Sequence, residues 1–213
     1  MKKKAIKKPI HNIEFEKTEK KLKELQVDDR IEYSIISNDE LNNVKNHRII
    51  VDSAVFDKCT FNNSEFDRSE FMDVVFKNCE ITNSSFINSS FIRCEFIKCK
   101  MIGSHFVKSF LTDILIKDSI TDYIDVADCK IKSLKIKDTS QKMASWFDNK
   151  LDNIMFDNVD FERLSLSNSP LKDVNLSNSN IDHLKTDLIS IKGITIDKFQ
   201  TVEICNLLGV NVI

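Results

Sequence analysis

Every fifth residue from Val51 to Ile196 is large and apolar, and this one spacing governs the chain. The column begins Val51, Phe56, Phe61, Phe66, Phe71, Phe76, Ile81, Phe86, Phe91, Phe96, Met101, Phe106 and continues to Ile196. Of its 30 positions 27 are apolar, where the 41% hydrophobic content alone gives about 12. Eleven of the 15 phenylalanines share the phase. The residue two places earlier is small or apolar, as at Ala54, Cys59, Ser64, Ser69, Val74 and Cys79, with Asn149 the clear exception. A period of five matches neither a helix at 3.6 nor a strand at 2.0. It suits a chain that turns a corner every five residues, four units closing a square coil. The large residue (position i) and the small one at i−2 then point inward, and the other three face water. Stacked at the parallel-strand spacing, thirty units make about 7.5 coils and a rod roughly 36 Å long. Each coil buries its faces only on its neighbours, so both ends need caps.

With that pattern, segments such as DSAVFDKCTF, SSFIRCEFIKCKMIGSHF and FERLSLSNSPLKDVNLS resemble the pentapeptide-repeat family, whose unit is A(D/N)LXX with the large residue central. The resemblance implies an all-β fold: a right-handed quadrilateral β-helix with an N-terminal cap and a short C-terminal helix. The layout is a non-repetitive start, some thirty uninterrupted units and a tail ending LLGVNVI. It is similar to that of the Qnr-type quinolone-resistance proteins lacking long loops between coils. This second resemblance implies dimerisation through the C-terminal ends and a rod like B-DNA in size and charge. It also implies binding to type II topoisomerases, DNA gyrase and/or topoisomerase IV, and their protection from fluoroquinolones.

Three parts follow: residues 1–50, a basic tail and irregular cap; 51–196, the β-helix; and 197–213, a helix and dimerisation tail. Within the first, HNIEFEKTEKKLKELQ (11–26) has helical spacing at Leu22 and Leu25. Ile31, Ile35, Ile36, Leu41 and Val44 supply a degenerate first coil. The lysine-rich first eight residues are expected to be disordered. In the tail, Asp197 suits an N-cap and Gly209 a C′ position. Apolar side chains beyond the needs of a cap point to a two-fold contact with a second copy. The expected interface is Phe199, Val202, Leu207, Leu208, Val210, Val212 and Ile213.

The pattern has two irregularities. Thr121 and Gln141 are polar at inward positions on the same side of consecutive coils, next to the weakly patterned DTSQKMAS (138–145). They signal either a local distortion or polar groups bonded to backbone. Ile87, Ile92, Ile97, Ile102 and Val107 occupy the outward i+1 position in five successive units. Such a belt is either covered by the N-terminal segment or touches a partner.

Composition adds exclusions. With three glycines and two prolines, the corners are expected to come from repeat geometry and not from turn residues. No apolar run reaches 18 residues, so no membrane span is expected. MKKKAIKKP leads into no apolar h-region and does not read as a secretory signal, which places the chain in the cytoplasm. Five of six cysteines sit at i−2 and read as small buried thiols. The four histidines are scattered, and no phosphate loop, GxSxG or HExxH occurs. No catalytic site, cofactor or metal is expected.

Charge carries the rest. Residues 1–50 are net +3 and residues 51–213 net −5. A basic middle with Lys130, Lys132, Lys135, Lys137 and Lys142 precedes a block at 146–187 with eight acids against four bases. Asp148, Asp152, Asp157, Asp160, Glu162, Asp173 and Asp182 are the expected wall facing a basic, DNA-binding saddle. One alternative is an interaction scaffold without a topoisomerase role, working through the belt. Direct DNA binding by the basic middle is disfavoured by the negative net charge.

Overall fold

A computed structural model describes residues 3–10, 16–17, 22, 25–45, 47–210 and 212. Most of the helix expected over 11–26 lies outside these residues; Leu22 and Leu25 are described, and both are buried. The chain winds about eight turns of a right-handed quadrilateral β-helix. One parallel sheet contains β1 (Glu16–Lys17), β2 (Arg30–Ser37), β3 (Ile50–Asp57), β4 (Glu70–Lys77) and β5 (Ser90–Ile97). It continues past β6 (His105–Val107) with β7 (Phe110–Lys117), and past β8 (Asp125–Ala127) with β9 (Lys130–Ser140). Beyond β10 (Ser145–Phe147) it ends with β11 (Lys150–Asp160). The second sheet joins β6, β8 and β10 to β12 (Ser165–Ser167) and β13 (Lys185–Thr186). The register is 20 residues, as in Val51↔Phe71 and Leu111↔Ile131. The four sides of a coil are centred on Val51, Phe56, Phe61 and Phe66, and Phe71 returns to the first.

Each eight-residue strand covers two sides because it bends in the middle. The bend falls at i+2, where the backbone is left-handed. Among the described residues 30 non-glycines have φ between 46° and 66°, all at i+2, and 17 of them are Asn or Asp. These are the side chains that tolerate that region best after glycine. The expectation that corners dispense with turn residues is therefore corrected: the turn chemistry is there, written in Asn and Asp.

Inside, the phenylalanines stack from coil to coil. Ring centroids lie 4.6 Å apart for Phe71 and Phe91 and 4.8 Å apart for Phe76 and Phe96, with interplanar angles of 7° and 1°. This is the coil spacing itself. Residues at i−2 form a second ladder. Ser89 Oγ donates to Phe66 O (2.9 Å) and accepts the Ser69 N–H (3.1 Å), and Ser84 Oγ likewise donates to Phe61 O. Cys59, Cys79 and Cys99 place Sγ 3.4 Å from Ile36 O, Phe56 O and Phe76 O. All five inward cysteines are buried free thiols, and burial lifts Cys94 to about 12 and Cys129 to about 11. Asn149 obeys the same rule with a longer arm. Its Oδ1 accepts the Cys129 N–H (2.9 Å), and its Nδ2 donates to Val126 O (2.8 Å) and Ser169 Oγ (3.2 Å).

Thr121 and Gln141 cause no bend. Lys130–Ser140 and Lys150–Asp160 are the longest strands among the described residues and stay in register through Ser140↔Asp160. Thr121 Oγ1 donates to Ser140 O (3.0 Å). Gln141 Oε1 and Trp146 Nε1 are buried without a hydrogen-bond partner.

The ends depart from the sequence period. At the N-terminal end the coils begin at β2, with Ile31, Ile36 and Leu41 buried. Residues 3–10 are not disordered but lie along the rod, with the Lys4, Lys7 and Ile10 N–H groups donating to Asn153, Asp113 and Asp73. At the other end a helical turn, α1 (Leu188–Ile191), interrupts the last coil. Ile189 is exposed, and Ser190 takes the inward place, its Oγ accepting the Ser169 N–H (3.0 Å). Asp197 Oδ1 accepts the Phe199 N–H and Gln200 Oε1 the Asp197 N–H, starting the turn into α2 (Thr201–Leu207). Ile204 and Leu207 pack on the core and close the rod. Among the described residues no helix is long and apolar enough to cross a membrane.

Candidate partner-binding surface

The 20-residue register spreads the seven acids of the C-terminal block around the rod. Asp160, Glu162 and Asp182 share the third side. Asp152 lies on the first side, with Asp173 at its following corner. Asp157 is on the second side, and Asp148 is at the corner after the fourth. A single straight wall does not form.

The register also stacks lysines of one coil on acids of the next. Lys137 Nζ lies 2.9 Å from Asp157, and Lys142 Nζ lies 2.9 Å from Glu162 and 3.0 Å from Asp160. The Lys137 ammonium, then the Asn178 amide, holds the Asp157 carboxyl below its ordinary range. Lys142 does the same for Glu162, and its own pKa is raised by Glu162 and Asp160 together. Asp148, Asp152, Asp173 and Asp182 are exposed and form no ion pair among the described residues. Seven candidates thus divide into three carboxylates bound within the rod and four available to a partner.

The apolar surface is also reorganised. The five belt residues, Ile87 to Val107, are all half-buried between neighbouring coils, so no bare band exists there. The exposed aromatics among the described residues are instead Tyr33, Tyr123 (56% exposed) and the out-of-phase phenylalanines Phe110 (50%), Phe147 (46%) and Phe199 (78%). Their place outside the five-residue phase is the signal for this in the sequence. Lys130 Nζ sits 5.1 Å from the Phe110 ring centroid. In the tail, Phe199, Val202, Leu208, Val210 and Val212 are exposed, whereas Leu207 is committed to the core; Ile213 lies outside the described residues. His47, Glu65 and Asp67 bring ligand atoms within 4.8 Å of one another. Their carboxylates already serve others: Glu65 pairs with Lys45 (3.0 Å), and Asp67 accepts from Ser85 Oγ (2.7 Å) and the Ile87 N–H (3.0 Å).

Comparison with solved structures gives a trypsin-treated variant of QnrB1, a plasmid-mediated fluoroquinolone resistance protein. It is 16% identical over 84% of this chain and 100% of that one, with a TM-score of 0.52. The fold is that of the pentapeptide-repeat β-helices. HetL, a pentapeptide repeat protein involved in heterocyst differentiation regulation from the cyanobacterium Nostoc sp. strain PCC 7120, overlays more loosely. It is 8% identical over 78% of this chain and 91% of that one, with a TM-score of 0.42. Residues 14–106, less than half of the chain, match the family described as the SV2A/B/C luminal domain. No curated protein matches the sequence.

Proposed function

We propose that this protein is a Qnr-type, DNA-mimicking protein that binds type II topoisomerases, DNA gyrase or topoisomerase IV, and protects them from fluoroquinolones. It acts in the cytoplasm, by occupancy and without turnover. The observation that carries this reading is the rod of about eight coils, which a trypsin-treated fluoroquinolone resistance protein matches over 84% of this chain and 100% of that one. Electrostatics support it: exposed carboxylates on a rod can enter a basic saddle shaped for phosphates, steered by complementary charge. Asp148, Asp152, Asp173 and Asp182 are the contacts of choice, because Asp157, Asp160 and Glu162 already hold lysines. A dimer formed through Phe199, Val202, Leu208, Val210 and Val212, with Leu207 and Ile213 at its margin, would double the length of the rod.

The test is DNA gyrase supercoiling in the presence of ciprofloxacin, titrated with the full chain. The reading requires rescue of supercoiling that weakens with salt. Asp152→Lys with Asp173→Lys should abolish rescue, and Asp157→Lys with Glu162→Lys should reduce it less. No rescue by a folded, dimeric protein at any concentration refutes the reading.

A further inference from the structure

One corner of the rod differs from the other three. At i+2 most corner side chains are exposed, as at Lys58, Asn63, Arg68, Asn83 and Asn88. Between the first and second sides the same position is covered from Ser53 to Asn153: Ser53, Asp73 and Ser133 are 7%, 5% and 8% exposed, and Arg93, Asp113 and Asn153 are half-buried. From Asp73 to Asn153 residues 3–10 supply the cover. The Ile10 N–H donates to Asp73 Oδ1 (2.8 Å), the Lys7 N–H to Asp113 Oδ1 (3.2 Å) and the Lys4 N–H to Asn153 Oδ1 (2.9 Å). Asn153 Nδ2 returns a bond to Lys4 O (3.0 Å).

The spacing is a vernier. The three acceptors are 40 residues apart, two coils each, or roughly 9.6 Å at the parallel-strand spacing. The three donors are three residues apart, and a polyproline II segment advances about 9.3 Å in three residues, one full turn. The burial of the segment repeats with the same period: Lys3, Ile6 and Pro9 are half-buried, and Lys4, Ala5, Lys7, Lys8 and Ile10 are exposed. The corner is preset for this ligand. Arg93 clasps Asp73 through Nε and Nη2, both at 2.6 Å, fixing the carboxylate that receives Ile10. Lys3, Lys4, Asp152 and Asp173 line a common groove of about 430 Å³ at the far end of the column.

We propose that the Asp73–Asp113–Asn153 corner is a binding site for an extended, lysine-rich protein segment in polyproline II form, and that residues 3–10 are its resident occupant. The side chains read backbone N–H groups, so the site accepts many sequences of that shape. The carboxylates at Asp113, Asp152 and Asp173 select for positive charge, Asp73 being held by Arg93. A partner's basic strand binds by displacing the chain's own. This does not rest on the topoisomerase reading.

Proline scanning of the full-length chain tests it, because proline removes one N–H donor and leaves the rod untouched. Lys4→Pro, Lys7→Pro and Ile10→Pro should each raise the rate of Lys-C cleavage within residues 2–8 by at least about tenfold. Ala5→Pro and Lys8→Pro should not, since their amides are not donors to the corner. The Lys7→Pro, Ile10→Pro double variant should then bind a fluorescent KKKAIKKPI peptide by anisotropy, where the wild type does not, and adding Asp113→Ala should abolish that binding. Cleavage equally fast in the wild type, or no period of three in the scan, overturns the proposal. So does a released variant that ignores the peptide, or one that self-associates in its place, which assigns the corner to a second copy.

Discussion

The coils from Phe56 to Phe106 and those from Leu111 to Leu184 share one backbone and are filled differently. In the first set phenylalanines stack face to face along three of the four sides, with Phe86 and Phe106 4.9 Å apart and Phe56 and Phe76 5.2 Å apart. Each ring meets the next at the coil repeat, so burial and aromatic contact reinforce each other. In the second set aliphatic side chains replace most rings. Thr121 and Gln141 occupy the third side, and Trp146 is beside them with its N–H unpaired. Outside, the order reverses. The second set carries the cross-coil pairs of Lys137 and Lys142 and the unpaired acids proposed for binding. The ring ladder lies in one half and the acids proposed for topoisomerase binding in the other, so surface changes in the second half can probe that binding without dismantling the fold.

Substitutions at five positions break or sharpen this contrast. The largest effect is expected for Phe91→Ala, which opens a cavity in the middle of the ring stack and should cost about 3–5 kcal/mol by chemical denaturation. Leu134→Ala in the second half, where no ring ladder collapses with it, should cost less. Asn149→Ala should come next, at about 1–3 kcal/mol, because it orphans the Cys129 N–H and Val126 O. Asn149→Ser should recover much of that, since serine performs the same two bonds elsewhere; equal losses for both would refute the ladder.

Gln141→Leu should stabilise the second half by about 1–2 kcal/mol, removing a buried acceptor that has no donor. A lower melting temperature would show that the amide serves an unrecognised bond. The smallest effect concerns pH. Burial pushes the Asp187 carboxyl up, but bonds from the Asn168 and Ser190 N–H groups and the Ser190 hydroxyl outweigh it and hold the group at about 2. A carboxylate depressed by folding stabilises above its ordinary value near 4 and loses that contribution as pH falls toward 2. Asp187→Asn should therefore cost of order 1 kcal/mol at neutral pH and flatten the stability profile between about 4 and 2.

The period of five fixed the inward columns, the 20-residue register and the rod, because a coil has one way to bury two residues in five. Thr121, Gln141 and Asn149 were legible as exceptions, and three-dimensional neighbours explained two of them: Thr121 reaches Ser140 O, and Asn149 bridges Cys129 and Ser169, the inward residues of the adjacent coils. Near the end of the solenoid Ile191 and Ile196 keep the phase across α1, although Ser190 takes the inward place there, and the coil pairing resumes at Asn175↔Thr195. Apolar spacing records which side chains are buried and not how the backbone reaches them. Asn and Asp at more than half of the corners carry the turn chemistry that the few glycines and prolines do not.

What the sequence determined by itself was everything set by local repetition: the fold, the core, the cysteine column and the absence of an amphipathic alternative. What only the tertiary structure decided depends on residues 20, 40 or 149 positions apart. It paired Lys142 with Glu162, half-buried the isoleucine belt, and divided the acids into bound and available groups. It also laid Lys4 against Asn153. The physical reason is that surface charges and backbone donors carry no period of their own; their partners are chosen by the coil stacking, which exists only once the core has closed.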